Sequence, residues 1–267
     1  MDHTGRRPLP RSLAVVPARL GSTRLPRKML LAESGAPLVV ETARNALASG
    51  VFARLVIAAD SGEVLDAARH HGLEALATDP SHPSGTDRVR EAVERLALEG
   101  VDVVVNVQGD EPELAPSDLA DLVAAFVDPG VEMASLWCPL PAGEVADPSA
   151  VKVVLDQNGD ALYFSRSPIP AVGHGQTQAA DGSTWKRHVG VYAYRPAALR
   201  RFCALPQGQL EALERLEQLR WLEQGGSIRM VRAQHPTTGI DTPSDYAAYV
   251  ERARRRAPGT RSEQDDT

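Results

Sequence analysis

Cysteine is scarce: Cys138 and Cys203 are the only two in 267 residues. They lie far apart, without the close spacing of a zinc or redox motif, so two free thiols in a reducing cytoplasm are expected. Long apolar runs are missing as well. No stretch approaches the ~20 residues of a membrane span. The basic segment Met1 to Arg11 lacks the apolar core of a secretory leader. There is no excess of positive charge, the net being -6, so wholesale binding to nucleic acid or to an anionic membrane is not expected. No internal repeat recurs at a fixed period. Several catalytic signatures are absent too. Without GxGxxG a dinucleotide dehydrogenase is disfavoured, and without GxxxxGK[ST] a P-loop NTPase. Neither GxSxG nor HExxH occurs. What remains is a globular chain, 43% hydrophobic and 24% charged, in which an anion site must be a local concentration of cations.

One such concentration is present. The apolar run Leu13 to Val16 reads as a buried strand, and the loop after it carries Gly21, Ser22 and Thr23. Arg19, Arg24, Arg27 and Lys28 fall within ten positions of one another. Small residues let a backbone approach a ligand, and Arg and Lys supply charge and forked donors. The loop suits a polyphosphate, or else it is a solvated basic loop.

Along the chain, helical and strand patterns alternate. Pro37 to Ser49 is helical, Arg54 to Ala59 a strand and Ser61 to His71 helical. A Pro- and Gly-containing loop, Thr78 to Arg88, opens a helix to about Leu98, with Ser84, Thr86 or Asp87 as cap. Such a loop can read a base or phosphate edge, and it is also how ordinary helices begin. Val101 to Val107 is the most apolar strand and predicts the sheet centre. Ligands in open α/β sheets bind beyond the carboxyl ends of strands. Asp110, just past this strand with Gly109 allowing close approach, is therefore a candidate Mg²⁺ ligand, the alternative being a helix-capping carboxylate.

Ser117 to Val127 reads as helix and Val131 to Cys138 as strand. Val151 to Leu155 and Ala161 to Ser165, around Asn158-Gly159, read as a β-hairpin, and Ala171 to Ser183 as a mobile loop. Trp185 to Tyr194 is a further strand, in which a lone histidine would more often be structural. Gln209 to Gln224 reads as one helix with a leucine side, and Glu217 and Gln218 sit inside it without visible polar partners. Ile228 to Ala233 is a strand, and Thr242 with Pro243 opens the last helix. Asp241 just before it is a second candidate metal carboxylate. The order predicts an α/β fold: a mostly parallel central sheet with helices on both faces, plus the hairpin as a subregion. One domain spans 13–250, and 1–12 and 252–267 are expected to be flexible tails. A cationic loop with two strand-end carboxylates suits a nucleotidyl transferase, in which an oxygen attacks an α-phosphate and pyrophosphate leaves.

Seven stretches, PARLGSTRLPRK, SGTDRV, NVQGDEP, VKVVLDQNGDALYFSRSPIP, RHVGVYAYR, LEQLRWLEQG and TGIDTPSDY, stand in this order between Leu13 and Val250. Together they resemble the motifs of the CMP-KDO synthetases, the 3-deoxy-manno-octulosonate cytidylyltransferases. The resemblance implies a Rossmann-like nucleotidyltransferase fold and a cytoplasmic, Mg²⁺-dependent homodimer, with the hairpin region serving sugar binding and dimerisation. It implies CTP and the eight-carbon acidic sugar KDO as substrates, and CMP-KDO for lipopolysaccharide-type surface glycans and pyrophosphate as products. Neither nucleic acid nor membrane insertion is implied.

Carried over by motif, Ala18, Arg19, Ser22, Arg24 and Lys28 handle the nucleotide, and Ser84 and Arg88 lie by the cytidine. Asp110 and Asp241 match the metal carboxylates and, with Lys28 and Gln108, the reaction centre. Arg166, His188, Tyr192, Glu217 and Gln218 match the sugar-acid pocket, with Arg166 as the fork for the carboxylate. Arg27 stands where the family often has Gly, and Pro83 where a residue such as Gln is expected. Other readings are a cytidylyltransferase for an 8-amino analogue of KDO or for a sialic acid, and a nucleotide-binding regulatory homologue without catalysis.

Overall fold

A computed structural model of the chain describes residues 8–97, 99–173, 184–235 and 239–256. The sheet is built around β1 (Ser12–Ala18), whose seven residues are all buried. β2 (Phe52–Ala59) and β4 (Val103–Asn106) flank it in parallel, and the short β3 (Ala75–Ala77) extends the β2 edge. On the other side follow β8 (Lys186–Tyr194), β5 (Met133–Pro139) and β9 (Arg229–Arg232), giving the order β3-β2-β1-β4-β8-β5-β9. On this path only β8 runs against the rest, being antiparallel to both β4 and β5. The sheet is thus mostly parallel, as the strand–helix alternation requires.

The apolar pattern explains why helices cover both faces. In β1, Ala14, Val16 and Ala18 point into one core and Leu13 and Val15 into the other. Val103 and Val105 of β4 join the first core and Val104 the second. A strand buried on both sides needs a helical layer on each. The first layer is α1 (Leu38–Leu47), α2 (Gly62–His70) and α4 (Pro116–Ala124). The second includes α3 (Gly85–Leu96) and α5 (Pro196–Ala204), with Phe202 against Trp221 of α7 (Leu219–Glu223).

The hairpin of β6 (Lys152–Leu155) and β7 (Ala161–Ser165) forms as expected, with Gly159 at φ 82 in its turn. It joins the sheet through Lys152, which pairs with Arg187 of β8.

The expected single helix over 209–224 is two. α6 (Gln209–Glu214) stops, Arg215 turns at φ 55, and α7 restarts at Leu219. The chain ends also differ from the expected tails. Ser12 is a buried strand residue. The last helix, α8 (Pro243–Arg256), runs beyond Arg252, where Arg252 and Arg256 both pair with Glu113. Residues 1–7, 257–267 and 174–183, the last being most of the expected loop 171–183, lie outside the described residues. Among the described residues no helix is long and apolar enough to cross a membrane.

α8 ties distant parts of the chain together. Its Tyr246, Tyr249 and Val250 pack with Leu25 of the cationic loop, Leu38 of α1 and Ile240. Burying a leucine or isoleucine contributes about 1.5–3 kcal/mol, so this cluster holds the first loop against the last one.

Candidate active site

The carboxyl ends of β1, β2 and β4 open on the same edge, and the loops that follow them meet there. Lys28 is 7% exposed, and its Nζ donates to Asp110 Oδ2 at 2.6 Å, to the Ile240 carbonyl at 2.8 Å and to Asp241 Oδ1 at 3.3 Å. Arg24 Nη2 also donates to Asp241 Oδ1, at 2.9 Å. The Ile240 N–H donates to the Asp110 carbonyl at 2.9 Å, so main chain and side chains join the same two loops. Gly109 permits this approach. A Cβ there would lie 2.9 Å from Met29 Sδ and 3.1 Å from the Pro17 carbonyl oxygen.

Two carboxylates this close repel each other unless a cation stands between them. Lys28 supplies one positive charge. The Asp110 and Asp241 side chains keep 26% and 45% of their surface exposed, leaving oxygens for a second cation. Mg²⁺ takes one or two carboxylates together with phosphate oxygens, and this donor set fits it.

The remaining residues expected at the nucleotide have different surroundings. Ala18 is the buried last residue of β1. Arg19 Nη2 donates to the His82 carbonyl at 2.8 Å, joining the cationic loop to the one before α3. Ser22 Oγ accepts from the Leu25 N–H at 3.4 Å. Ser84 caps α3, accepting from the Asp87 N–H at 3.1 Å and donating to Asp87 Oδ2 at 2.8 Å. Arg88 is different from its expected place beside a base. It is 0% exposed, and its guanidinium donates to Thr78 Oγ1 and, at 3.2 Å, to Asp60 Oδ2. Asp60 Oδ1 in turn accepts from the Leu20 N–H at 3.1 Å. Arg88 therefore supports the cationic loop from beneath.

On the hairpin side, His188 and Tyr192 of β8 meet at a tilt of 49° with 5.3 Å between ring centroids, and Phe164 meets His188 edge-on at 5.0 Å. Ser135 Oγ lies 2.9 Å from His188 Nε2 and 2.8 Å from the Val191 carbonyl. A hydroxyl has one proton, and donating it to Val191 leaves Ser135 to accept from Nε2–H, freeing Nδ1 as an acceptor. Burial, and then the Arg187 charge, push the His188 pKa down to about 3, so the ring is neutral. Burial, followed by the Glu217 charge, holds the Tyr192 phenol well above its usual value and protonated.

Glu217 Oε2 accepts from Thr86 Oγ1 at 2.8 Å, which brings the pair 217–218 to the first turn of α3. Gln218 is 4% exposed and its Nε2 has no hydrogen-bond partner among the described residues. Asn106 Nδ2 is likewise buried and unpartnered, beside Gln108, whose Nε2 donates to Asn106 Oδ1 at 3.4 Å. Unsatisfied buried donors cost about 1–3 kcal/mol each, and they suit a ligand rich in oxygen acceptors. A cleft of about 530 Å³, lined by Ser84, Asp87, Glu217 and Arg220 among others, opens alongside.

Arg166 departs from expectation. Its Nε donates to the Glu214 carbonyl at 2.8 Å, its Nη1 to Pro148 at 3.0 Å and its Nη2 to Arg215 at 3.5 Å. The fork donates to main-chain oxygens from all three of its nitrogens. It caps the end of α6, which is why the expected long helix stops there.

Sequence reasoning gave no site role to Asp60, Thr86 or Ser135. Asp60 follows β2 as Asp110 follows β4, so the strand-end rule contained its signal. Thr86 lies within SGTDRV but shows its partner only in the fold, and Ser135 carries no sequence signal.

The cytidylyltransferase family pattern matches residues 13–230. A 3-deoxy-manno-octulosonate cytidylyltransferase of Acidobacterium capsulatum is 46% identical over 236 residues, 88% of this chain and 94% of that protein. One of Halorhodospira halophila is 45% identical over 251 residues, 91% and 97% of the two chains. Among solved structures, a CMP:2-keto-3-deoxy-manno-octonic acid synthetase complexed with CTP superposes with a TM-score of 0.85 at 37% identity, covering 92% of this chain and all (100%) of that one. A 4-diphosphocytidyl-2C-methyl-D-erythritol synthase from Anaerococcus prevotii shares the fold at a TM-score of 0.59 and 10% identity. With a family pattern over most of its length and relatives of this identity, the chain belongs to the 3-deoxy-manno-octulosonate cytidylyltransferase family.

Proposed function

We propose that the protein transfers CMP from CTP to KDO, forming CMP-KDO and pyrophosphate. The observation that carries this is the convergence of Lys28 on Asp110 and Asp241 at the carboxyl edge of the sheet, in a chain of this family. In the reaction the anomeric hydroxyl oxygen of the sugar bonds to the α-phosphorus and gives up its proton to water. The bond from that phosphorus to the bridging oxygen breaks, and pyrophosphate leaves with the electron pair. No covalent enzyme intermediate is needed, so positioning and charge neutralisation supply the rate.

Lys28, Arg24 and Arg19 all follow β1, and each offers donors to the phosphate oxygens of a triphosphate. Asp110 and Asp241 would hold Mg²⁺, which when bound supplies further positive charge to the phosphates. Neutral His188, the Tyr192 hydroxyl, Glu217 and the unpartnered amide of Gln218 offer donors and acceptors for the hydroxyls of a polyhydroxy acid. We assign the protein to the cytoplasm and to a homodimer on the family resemblance. Coupled appearance of pyrophosphate and CMP-KDO from CTP, KDO and Mg²⁺ tests the reading, and absence of both would overturn it.

A further inference from the structure

The proposed reaction makes no use of Lys152, yet its setting is unusual. The side chain is 0% exposed on β6, a rare state for lysine. A buried ammonium is costly unless its donors are satisfied. Nζ donates to the Asp147 carbonyl at 2.9 Å and to the Arg166 carbonyl at 2.5 Å. Burial holds the Lys152 pKa below its ordinary value, with the Asp147 and Glu214 charges acting the other way in favour of the ammonium.

From Arg166 the contacts continue in one direction. Its N–H donates to Glu214 Oε2 at 2.9 Å, and Ser165 Oγ donates to Glu214 Oε1 at 2.5 Å. Its guanidinium caps the carbonyls of Glu214 and Arg215. Arg215 holds a left-handed backbone that an L-residue adopts only when its surroundings impose it. Two residues later come Glu217, seated on Thr86, and Gln218 with its buried free amide.

We infer that Lys152 is a positioning residue that, through Arg166 and Glu214, fixes Glu217 and Gln218 for the acidic sugar. The inference rests on the assignment of that pair to the sugar under the proposed function. Arg166 then acts on the sugar indirectly, by ending α6 where it does. A lysine that merely filled the core would affect stability and both substrates alike. A lysine that sets the 215–218 turn acts on the sugar side alone.

The test uses the full chain with Lys152→Met, which keeps length and removes the donors, and Lys152→Arg, which keeps charge and donors. Glu214→Gln is a second, more exposed variant that decides the matter if Lys152→Met does not fold. KM for KDO is expected to rise about tenfold or more in Lys152→Met and Glu214→Gln, with KM for CTP within about twofold and partial recovery in Lys152→Arg. Hydrogen exchange without any substrate provides the independent arm. The Arg215 amide, bonded to Glu211, and the Leu219 amide, bonded to Leu216, should exchange faster in the variants, with β1 and β4 unchanged. Unchanged protection at Arg215 and Leu219, or equal rises in both KM values, would overturn the inference. If the wild-type protein formed no CMP-KDO, the proposed function would fail, and the exchange arm would still decide whether the turn depends on Lys152.

Discussion

Lys28 Nζ stands 2.6 Å from Asp110 Oδ2, and that contact closes the gap between the first and fourth strand-end loops. The same ammonium reaches Asp241 from the far end of the chain. Because the residues come from three separate loops, the site exists only when α8 has docked on Leu25 and Leu38.

In the proposed reaction Asp110 and Asp241 act on ligand charge, and with 26% and 45% of their side chains exposed they pack little of the core. Asp110→Asn and Asp241→Asn should each lower turnover on the order of a hundredfold. Circular dichroism and thermal unfolding should stay near wild type. Turnover within a few-fold of wild type for Asp241→Asn would remove that residue from the mechanism.

His188 makes acid stability a readout of its burial. In the unfolded chain it titrates near 6.5, while in the fold its pKa lies at about 3. Below pH 6.5 the unfolded chain takes up a proton that the fold refuses, so stability falls as pH drops toward 3. Between pH 7.5 and pH 5 this group should cost up to about 2 kcal/mol. Denaturant titrations at both pH values, on wild type and His188→Asn, measure it. An equal acid loss in both proteins would show that His188 is not the source.

Arg27 is held at φ 56, a backbone region that suits glycine, and pairs with Glu63 at the surface. The departure from the family's frequent Gly therefore falls on a position where Gly has a conformational advantage. Arg27→Gly should raise Tm by about 2–4 °C, while Arg27→Ala, which keeps the strain and loses the pair, should lower it. A lower Tm for Arg27→Gly would place the weight on the Glu63 pair instead.

These residues show where the sequence was legible. Asp110 and Asp241 stood out because carboxylates beyond strand ends lie where open α/β sheets bind ligands, and the fold brings both onto Lys28. The sheet itself followed from apolar strands separated by helical periods. For Arg166 nothing in the sequence signalled its partners in the fold, the carbonyls of Pro148, Glu214 and Arg215, which carry no side-chain signature. For the same reason the leucine period over 209–224 gave no hint of a break: the cap at Glu214 comes from a side chain 48 residues earlier. Arg88 was expected beside the cytidine, and only the fold shows it donating to Thr78 and Asp60.

The most direct test is product formation by the purified protein. With CTP, Mg²⁺ and KDO, the account predicts one pyrophosphate released per CMP-KDO formed. Release should be lost when KDO is omitted and strongly reduced when ATP replaces CTP. Pyrophosphate release that proceeds without KDO, or equally well with ATP, would contradict it.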